Sequence, residues 1–151
     1  MGLRRRSREK TLQILYSLEF SKTMTIEDSV KMYYEYFNLS GCDIKSDADK
    51  EEHSFIVYLL GEVVRNIDKI EELIEDAAIN WRIDRIALIE RNILRMSVAE
   101  LIDTKNGVPF KATINEAIDI AKKFGSRDSS SFVNGIINKV ADIIDVKNTK
   151  L

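Results

Sequence analysis

The sequence contains one cysteine, one histidine, one proline and six scattered glycines, and this scarcity excludes several kinds of site. Zinc sites combine several cysteine and histidine ligands, so Cys42 and His53 cannot supply one on their own. A single cysteine cannot close an internal disulfide, and the glycines are too dispersed to build a phosphate-binding loop. We therefore expect no metal, no cofactor and no catalytic residue, and we interpret Cys42 and His53 as inert.

Long apolar runs are also absent. No apolar stretch reaches the ~18–20 residues that a membrane-spanning helix needs. The N-terminus lacks the apolar core of a secretory signal as well. With 151 residues, of which 44% are hydrophobic and 32% charged, the composition is that of a soluble globular protein. We expect a cytoplasmic protein that does not contact a membrane.

Apolar residues recur at steps of three and four almost throughout the chain, and no stretch alternates with period two. This pattern predicts an all-α fold of about seven helices. The helices are expected over about residues 4–21, 25–37, 48–78 with a break near Asn66-Ile67-Asp68, 84–102, 113–124 and from 128 or 129 onward. A division near Trp81 then gives an N-terminal subdomain, residues 1–80, and a C-terminal subdomain, residues 81–151.

Local signals indicate where several of these helices begin. Thr25 with Asp28, and Thr113 with Glu116, have the spacing of a capping box at a helix N-terminus. Pro109 forbids continuation of the helix before it. The first helix carries apolar residues over much more than one stripe, which predicts burial on two sides of its C-terminal half. Its apolar residues are Leu12, Ile14, Leu15, Tyr16, Leu18 and Phe20.

Charge is distributed unevenly along the chain. The first ten residues hold five basic side chains and one acid, whereas the remaining 141 hold 18 basic and 24 acidic side chains. A short basic N-terminal segment on an acidic body is typical of nucleic-acid-binding arms. Most of its basic residues are arginines, which bind phosphate bidentately and stack on bases. An inert, solvated terminus is the alternative interpretation.

Two residues near the C-terminal helix have more than one interpretation. Phe132 has the spacing of a core residue, but it follows the polar cluster 127–131, where an exposed ring could stack on an unpaired base. Gly135 lies inside the predicted helix, where glycine costs about 1 kcal/mol relative to alanine. We expect a neighbouring helix to approach Gly135 closely. Gly125 is expected to cap the preceding helix at its C-terminus.

Three C-terminal blocks carry a family resemblance. They are IERNILRMSVAELI at 89–102, VPFKATINEAIDIAKKFGS at 108–126 and SSFVNGIINKV at 130–140. Together with RRRSREKTLQILYSLEF at the N-terminus, these blocks resemble the NusB family of bacterial transcription antitermination factors. The resemblance covers almost the whole chain and implies a fold of two packed helical bundles.

The resemblance implies a non-enzymatic RNA-binding protein. NusB-like proteins bind the single-stranded boxA element of nascent ribosomal-RNA transcripts together with NusE, a small-subunit ribosomal protein. Other Nus factors and RNA polymerase complete the antitermination complex. By position, the RNA-binding residues are expected to be Arg4, Arg5, Arg6, Arg8, Lys123, Asp128 and Phe132. The residues expected to contact the ribosomal protein are Tyr16, Arg85 and Glu90. The match is looser over residues 38–50 and around Trp81.

Three alternatives compete with this function. One is a homodimer that hides the arginine segment in its interface, because NusB-like proteins can self-associate. A second is an RNA cytosine methyltransferase, since NusB-like domains also occur fused to such enzymes. The chain ends at Leu151 without a glycine-rich nucleotide loop or a second cysteine for covalent catalysis, which argues against that enzyme. A third is a helical adaptor whose arginine segment is inert.

Overall fold

The computed structural model describes residues 2–20, 25–36 and 46–149, and within them it contains seven α-helices and no β-strand. The helices are α1 (Leu3–Leu18), α2 (Ile26–Tyr36), α3 (Asp47–Arg65), α4 (Ile67–Ala77), α5 (Leu88–Ile102), α6 (Phe110–Phe124) and α7 (Ser129–Thr149). A single 3₁₀ turn, Ile83–Arg85, precedes α5. The prediction of an all-α fold is therefore confirmed. Cys42 lies outside the described residues, as do all of residues 37–45 between α2 and α3.

Local sequence signals account for several helix limits. The backbone N–H of Asp28 donates to Thr25 Oγ1 at 3.0 Å, so the predicted cap of α2 is confirmed. The predicted break in the long third helix lies at Asn66, between α3 and α4. The cap predicted at Thr113 is wrong, because Pro109 caps α6 and Thr113 lies buried within its first turn. Proline with its fixed φ enters a helix N-terminus readily, so the helix begins three residues earlier.

The chain divides into two compact units, Met1–Gly61 and Glu62–Leu151, and the boundary falls within α3. In the first unit, α1 packs against α2. In the second unit, α5 contacts α4, α6 and α7, and α4 also contacts α7. Because α4 packs on α5 and α7, it belongs to the C-terminal unit. The boundary between the units therefore lies, along the sequence, about twenty residues before the division proposed near Trp81.

The core of the C-terminal unit follows from the spacing of its apolar residues. Helix α5 is apolar on several sides, as expected of a helix that is surrounded by three others. Helices α4 and α7 each contribute one stripe with steps of three and four. The buried residues are Ile70, Leu73, Ile74 and Ala77 of α4, Ile93, Leu94, Met96, Val98 and Leu101 of α5, and Val133, Ile136, Ile137, Val140 and Ile144 of α7. Among the described residues, no helix has the length and hydropathy needed to span a membrane.

Candidate nucleic-acid interface

The arginine-rich segment is part of a helix rather than an extended arm. Helix α1 begins at Leu3, with Gly2 as its cap, and the carbonyl of Gly2 accepts the N–H of Arg6 at 3.1 Å. The first turn contains no acid, although acids are the residues that a helix N-terminus favours. Arginine charge and helix dipole are therefore of the same sign at this end of α1, and together they attract anions.

A buried carboxylate of α3 fixes part of this segment. Glu52 is only 4% exposed, and it accepts hydrogen bonds from the side chains of both Arg6, at 3.3 Å, and Lys10. The side chain of Arg6 remains 49% exposed in this ion pair. Glu52 therefore offsets part of the positive charge while it holds both cations in place.

A ring on the next turn of α3 organises two further arginines. The guanidinium carbons of Arg4 and Arg8 lie 4.6 Å and 5.3 Å from the centre of the Phe55 ring, which is cation–π geometry. Arg4 is exposed, whereas Arg8 is only 5% exposed. The four predicted arginines thus differ in access. Arg4 and Arg6 are exposed, Arg5 is half-buried, and Arg8 is buried.

The other predicted RNA-binding residues lie around the start of α7 in the C-terminal unit. Lys123 is exposed at the end of α6, and its ammonium lies 5.4 Å from the ring centre of Phe124. Asp128 is exposed, and its carbonyl accepts the N–H of Phe132 at 3.1 Å, which starts α7. Phe132 is half-buried and does not belong to the core.

The ring of Phe132 contacts that of Trp81, in the connection between α4 and the 3₁₀ turn. The two ring centres are 6.3 Å apart and the ring planes meet at 83°, an edge-to-face arrangement. Trp81 is 51% exposed and Ile79 is 77% exposed. Trp81 and Phe132 therefore present aromatic surface to solvent on the C-terminal unit.

The turn between α6 and α7 is tightly packed. The Ser129 hydroxyl accepts the N–H of Ser126 at 2.8 Å and donates to Glu90 Oε1 at 2.7 Å. Gly125 caps α6 as predicted, and there is no space for a larger residue at this position. An added Cβ would overlap the Ser129 side chain and lie 2.7 Å from the carbonyl oxygen of Ala121.

Gly135 differs from Gly125, and the prediction that a neighbouring helix approaches Gly135 closely is wrong. An added Cβ at this position would meet nothing within 4 Å, and the residue is exposed on α7. Its place in the helix therefore has no explanation in the packing of the described residues.

The predicted partner-binding residues are spread over both units. Tyr16 is exposed near the end of α1, and its ring meets that of Phe20 edge-to-face at 5.5 Å. Phe20 is 70% exposed, so the burial predicted for this end of the first helix is wrong for both rings. In the C-terminal unit, Arg85 is exposed in the 3₁₀ turn, and Glu90 is half-buried in the first turn of α5.

Several residues that shape these surfaces were missed from the sequence. Glu52 is one of four acids within residues 47–52, and only tertiary packing distinguishes it. Phe55 has the spacing of a core residue, and nothing local connects it with arginines about fifty positions earlier. Trp81 did carry a signal, because it is the single tryptophan of the chain.

Comparisons with known proteins agree with this architecture. The NusB family model matches residues 5–142. The transcription antitermination protein NusB of Geotalea uraniireducens is 40% identical over 97% of this chain and 99% of its own length. The NusB of Myxococcus xanthus is 38% identical over 93% of this chain and 96% of its own. A crystal structure of the antitermination factors NusB and NusE in complex with double-stranded RNA superposes with a TM-score of 0.75. That match has 26% identity and covers 95% of this chain and 98% of that one.

Proposed function

The chain belongs to the NusB family, and from this premise we propose that it is a non-enzymatic, cytoplasmic RNA-binding factor in transcription antitermination. Its RNA is single-stranded boxA-type RNA of nascent ribosomal-RNA transcripts, and its protein partner is NusE. Other Nus factors and RNA polymerase complete the assembly. The similarity to a NusB that was crystallised with NusE and double-stranded RNA supports RNA and NusE as classes of partner.

The observation that carries RNA binding is the cationic start of α1. Arg4 and Arg6 are exposed on a rigid helix end whose dipole also favours anions. Phe55 and Glu52 hold these arginines, so binding a phosphate requires less loss of side-chain freedom than it would in an extended arm. Arg5 contributes a third guanidinium, whereas the buried Arg8 acts mainly by holding the segment on α3.

The start of α7 supplies a different kind of contact. Phosphate contacts position a nucleic acid, but sequence is read from the bases. Phe132 offers a partly exposed ring on which an unpaired base can stack, and Lys123 and Asp128 supply a cation and a hydrogen-bond acceptor. These three side chains would recognise bases and backbone of a single strand.

The acidic body supports a basic protein partner. The chain outside the first ten residues has six more acidic than basic side chains, and ribosomal proteins are generally basic. The exposed rings of Tyr16 and Phe20 offer apolar contact area in the N-terminal unit. Arg85 and Glu90 would add charged contacts in the C-terminal unit. A homodimer that uses these surfaces would compete with the partner.

The decisive experiment is a titration of the purified chain against boxA-type, scrambled and double-stranded RNA, each with and without NusE. We expect the affinity for boxA-type RNA to rise with NusE by a larger factor than the affinity for either control. Linkage then requires RNA to tighten the contact with NusE by the same factor. Equal affinity for all three RNAs in the presence of NusE would refute boxA recognition. Light scattering of the same samples separates the heterodimer from a homodimer.

A further inference from the structure

We propose that Trp81 is a second base-stacking residue, and that its ring and the ring of Phe132 hold one unpaired base of the bound RNA. This inference rests on the proposed function and extends its binding surface to a residue outside the expected RNA-binding set. Trp81 lies in the C-terminal unit between α4 and the 3₁₀ turn, within the segment that connects α4 with α5.

The exposure of Trp81 is the first argument. A tryptophan that served only packing would bury most of its large ring, yet half of this residue is accessible. Its edge-to-face contact with Phe132 fixes the ring without covering it. The pair therefore forms a rigid aromatic surface, which costs little side-chain entropy when a planar base binds.

The charge around Trp81 and Phe132 favours a nucleic acid as the occupant. Residues 81–85 carry two basic side chains and one acid, and residues 122–135 carry three basic side chains and one acid. Both segments are therefore net positive in a chain whose formal net charge is −2. Positive charge beside an aromatic surface attracts the phosphates next to a stacked base.

Arg82 strengthens the argument for this connection. It follows Trp81 directly, its side chain is 79% exposed, and its Nε lies 3.5 Å from Asp84 Oδ1. An exposed ion pair of this kind is weak, so the guanidinium can turn to a phosphate at little cost. The connection thus offers a ring and a cation within two residues.

The test uses the fact that Trp81 is the only tryptophan, so fluorescence excited at wavelengths that the five tyrosines do not absorb reports on it alone. Titrating the full chain with boxA-type RNA should quench this fluorescence with the same midpoint as RNA binding measured independently. Replacing Trp81→Leu keeps apolar volume but removes the π face, and we expect RNA affinity to fall about 5- to 150-fold. Trp81→Phe keeps a ring and should retain most of the affinity. Ile79→Ala changes a more exposed apolar residue in the same connection and should leave RNA affinity unchanged.

The outcomes separate this inference from the proposed function. Normal RNA affinity of the Trp81→Leu variant, measured while the unmodified chain binds RNA, overturns the role of Trp81 and leaves the proposed function standing. No RNA binding by the unmodified chain, with or without NusE, refutes the proposed function itself. Loss of NusE affinity without loss of RNA affinity would make Trp81 a protein-docking residue and would also overturn the inference. A melting temperature within a few degrees of the unmodified chain shows that each variant is folded.

Discussion

Ser129 at the start of α7 donates a 2.7 Å hydrogen bond to Glu90 in the first turn of α5. Ser129 is 1% exposed, so its hydroxyl depends on this carboxylate and on the N–H and hydroxyl of Ser126 for its hydrogen bonds. Glu90 is also an expected NusE-binding residue. One side chain therefore holds the turn that precedes Phe132 and lies where the partner is expected to bind.

The first prediction separates these two roles of Glu90. Glu90→Lys should destabilise the fold by about 1–3 kcal/mol, because a buried hydroxyl loses its acceptor. It should also weaken NusE binding while the RNA affinity of the isolated chain changes little. Glu90→Gln keeps an acceptor and should stay close to the unmodified chain in melting temperature.

Ser129→Ala is the matched control for the partner surface. It removes the same hydrogen bond but leaves the Glu90 carboxylate in place, so NusE affinity should remain near normal. Calorimetry with NusE compares the variants. Equal loss of NusE affinity in Glu90→Lys and Ser129→Ala would show that Glu90 acts through the α7 turn and does not contact the partner.

The second prediction concerns the two exposed arginines of α1. Each phosphate that a cation neutralises on a single strand contributes about −0.7 to the slope of log affinity against log salt. The double variant Arg4→Ala with Arg6→Ala should therefore flatten this slope by about 1.4 and weaken binding to every RNA. Fluorescence anisotropy over a series of salt concentrations measures the slope. Lys147→Ala removes an exposed cation at the far end of α7 and should leave the slope unchanged. A slope that is the same in the double variant would contradict phosphate binding by α1.

Arg8 should not be used in that experiment. Because it is buried beside the Phe55 ring, Arg8→Ala should lower the melting temperature as well as RNA affinity. The two exposed arginines are the better probes, because Glu52 keeps Lys10 as a partner when Arg6 is replaced.

The third prediction concerns Phe132. Because the ring is half-buried on Trp81 rather than inside the core, Phe132→Ala should cost less than the ~3–5 kcal/mol that is typical of a core phenylalanine. If the ring stacks on a base, RNA affinity should fall by about 1–3 kcal/mol. Thermal unfolding and RNA titration of the same variant give both values. A large loss of stability with normal RNA affinity of the folded fraction would show that the ring serves packing.

The parts of the structure that local sequence determines were predicted well. The Thr25 cap and the break at Asn66 depend on neighbouring residues, and both were found where the pattern placed them. The cap at Thr113 was misplaced because two start signals lay close together and Pro109 is the one used. The sequence also assigns the four arginines of α1 the same role, because it does not show that Arg8 alone among them is buried.

Burial and pairing across helices could not be predicted in this way. The contacts of Arg6 and Lys10 with Glu52 join residues more than forty positions apart, and no local pattern encodes them. The exposure of Tyr16 and Phe20 was missed for the same reason, since an apolar pattern does not show whether a partner helix covers it. The expected set of site residues came from the family resemblance, and the structure adds which of them are accessible.

The last prediction is that Gly135 lowers the stability of α7 but allows RNA to bind there. An added methyl group would meet no atom of the described residues within 4 Å, so Gly135→Ala should stabilise the exposed helix by about 0.5–1 kcal/mol. Gly135 lies one turn after Phe132 on α7, and the missing side chain leaves backbone accessible beside the expected base-binding ring. If RNA approaches α7 there, Gly135→Ala should raise the melting temperature and lower RNA affinity. Asn134→Ala also increases helix propensity at an exposed neighbouring position and serves as the control. Higher stability with unchanged RNA and NusE affinity would show that neither ligand requires glycine at this position.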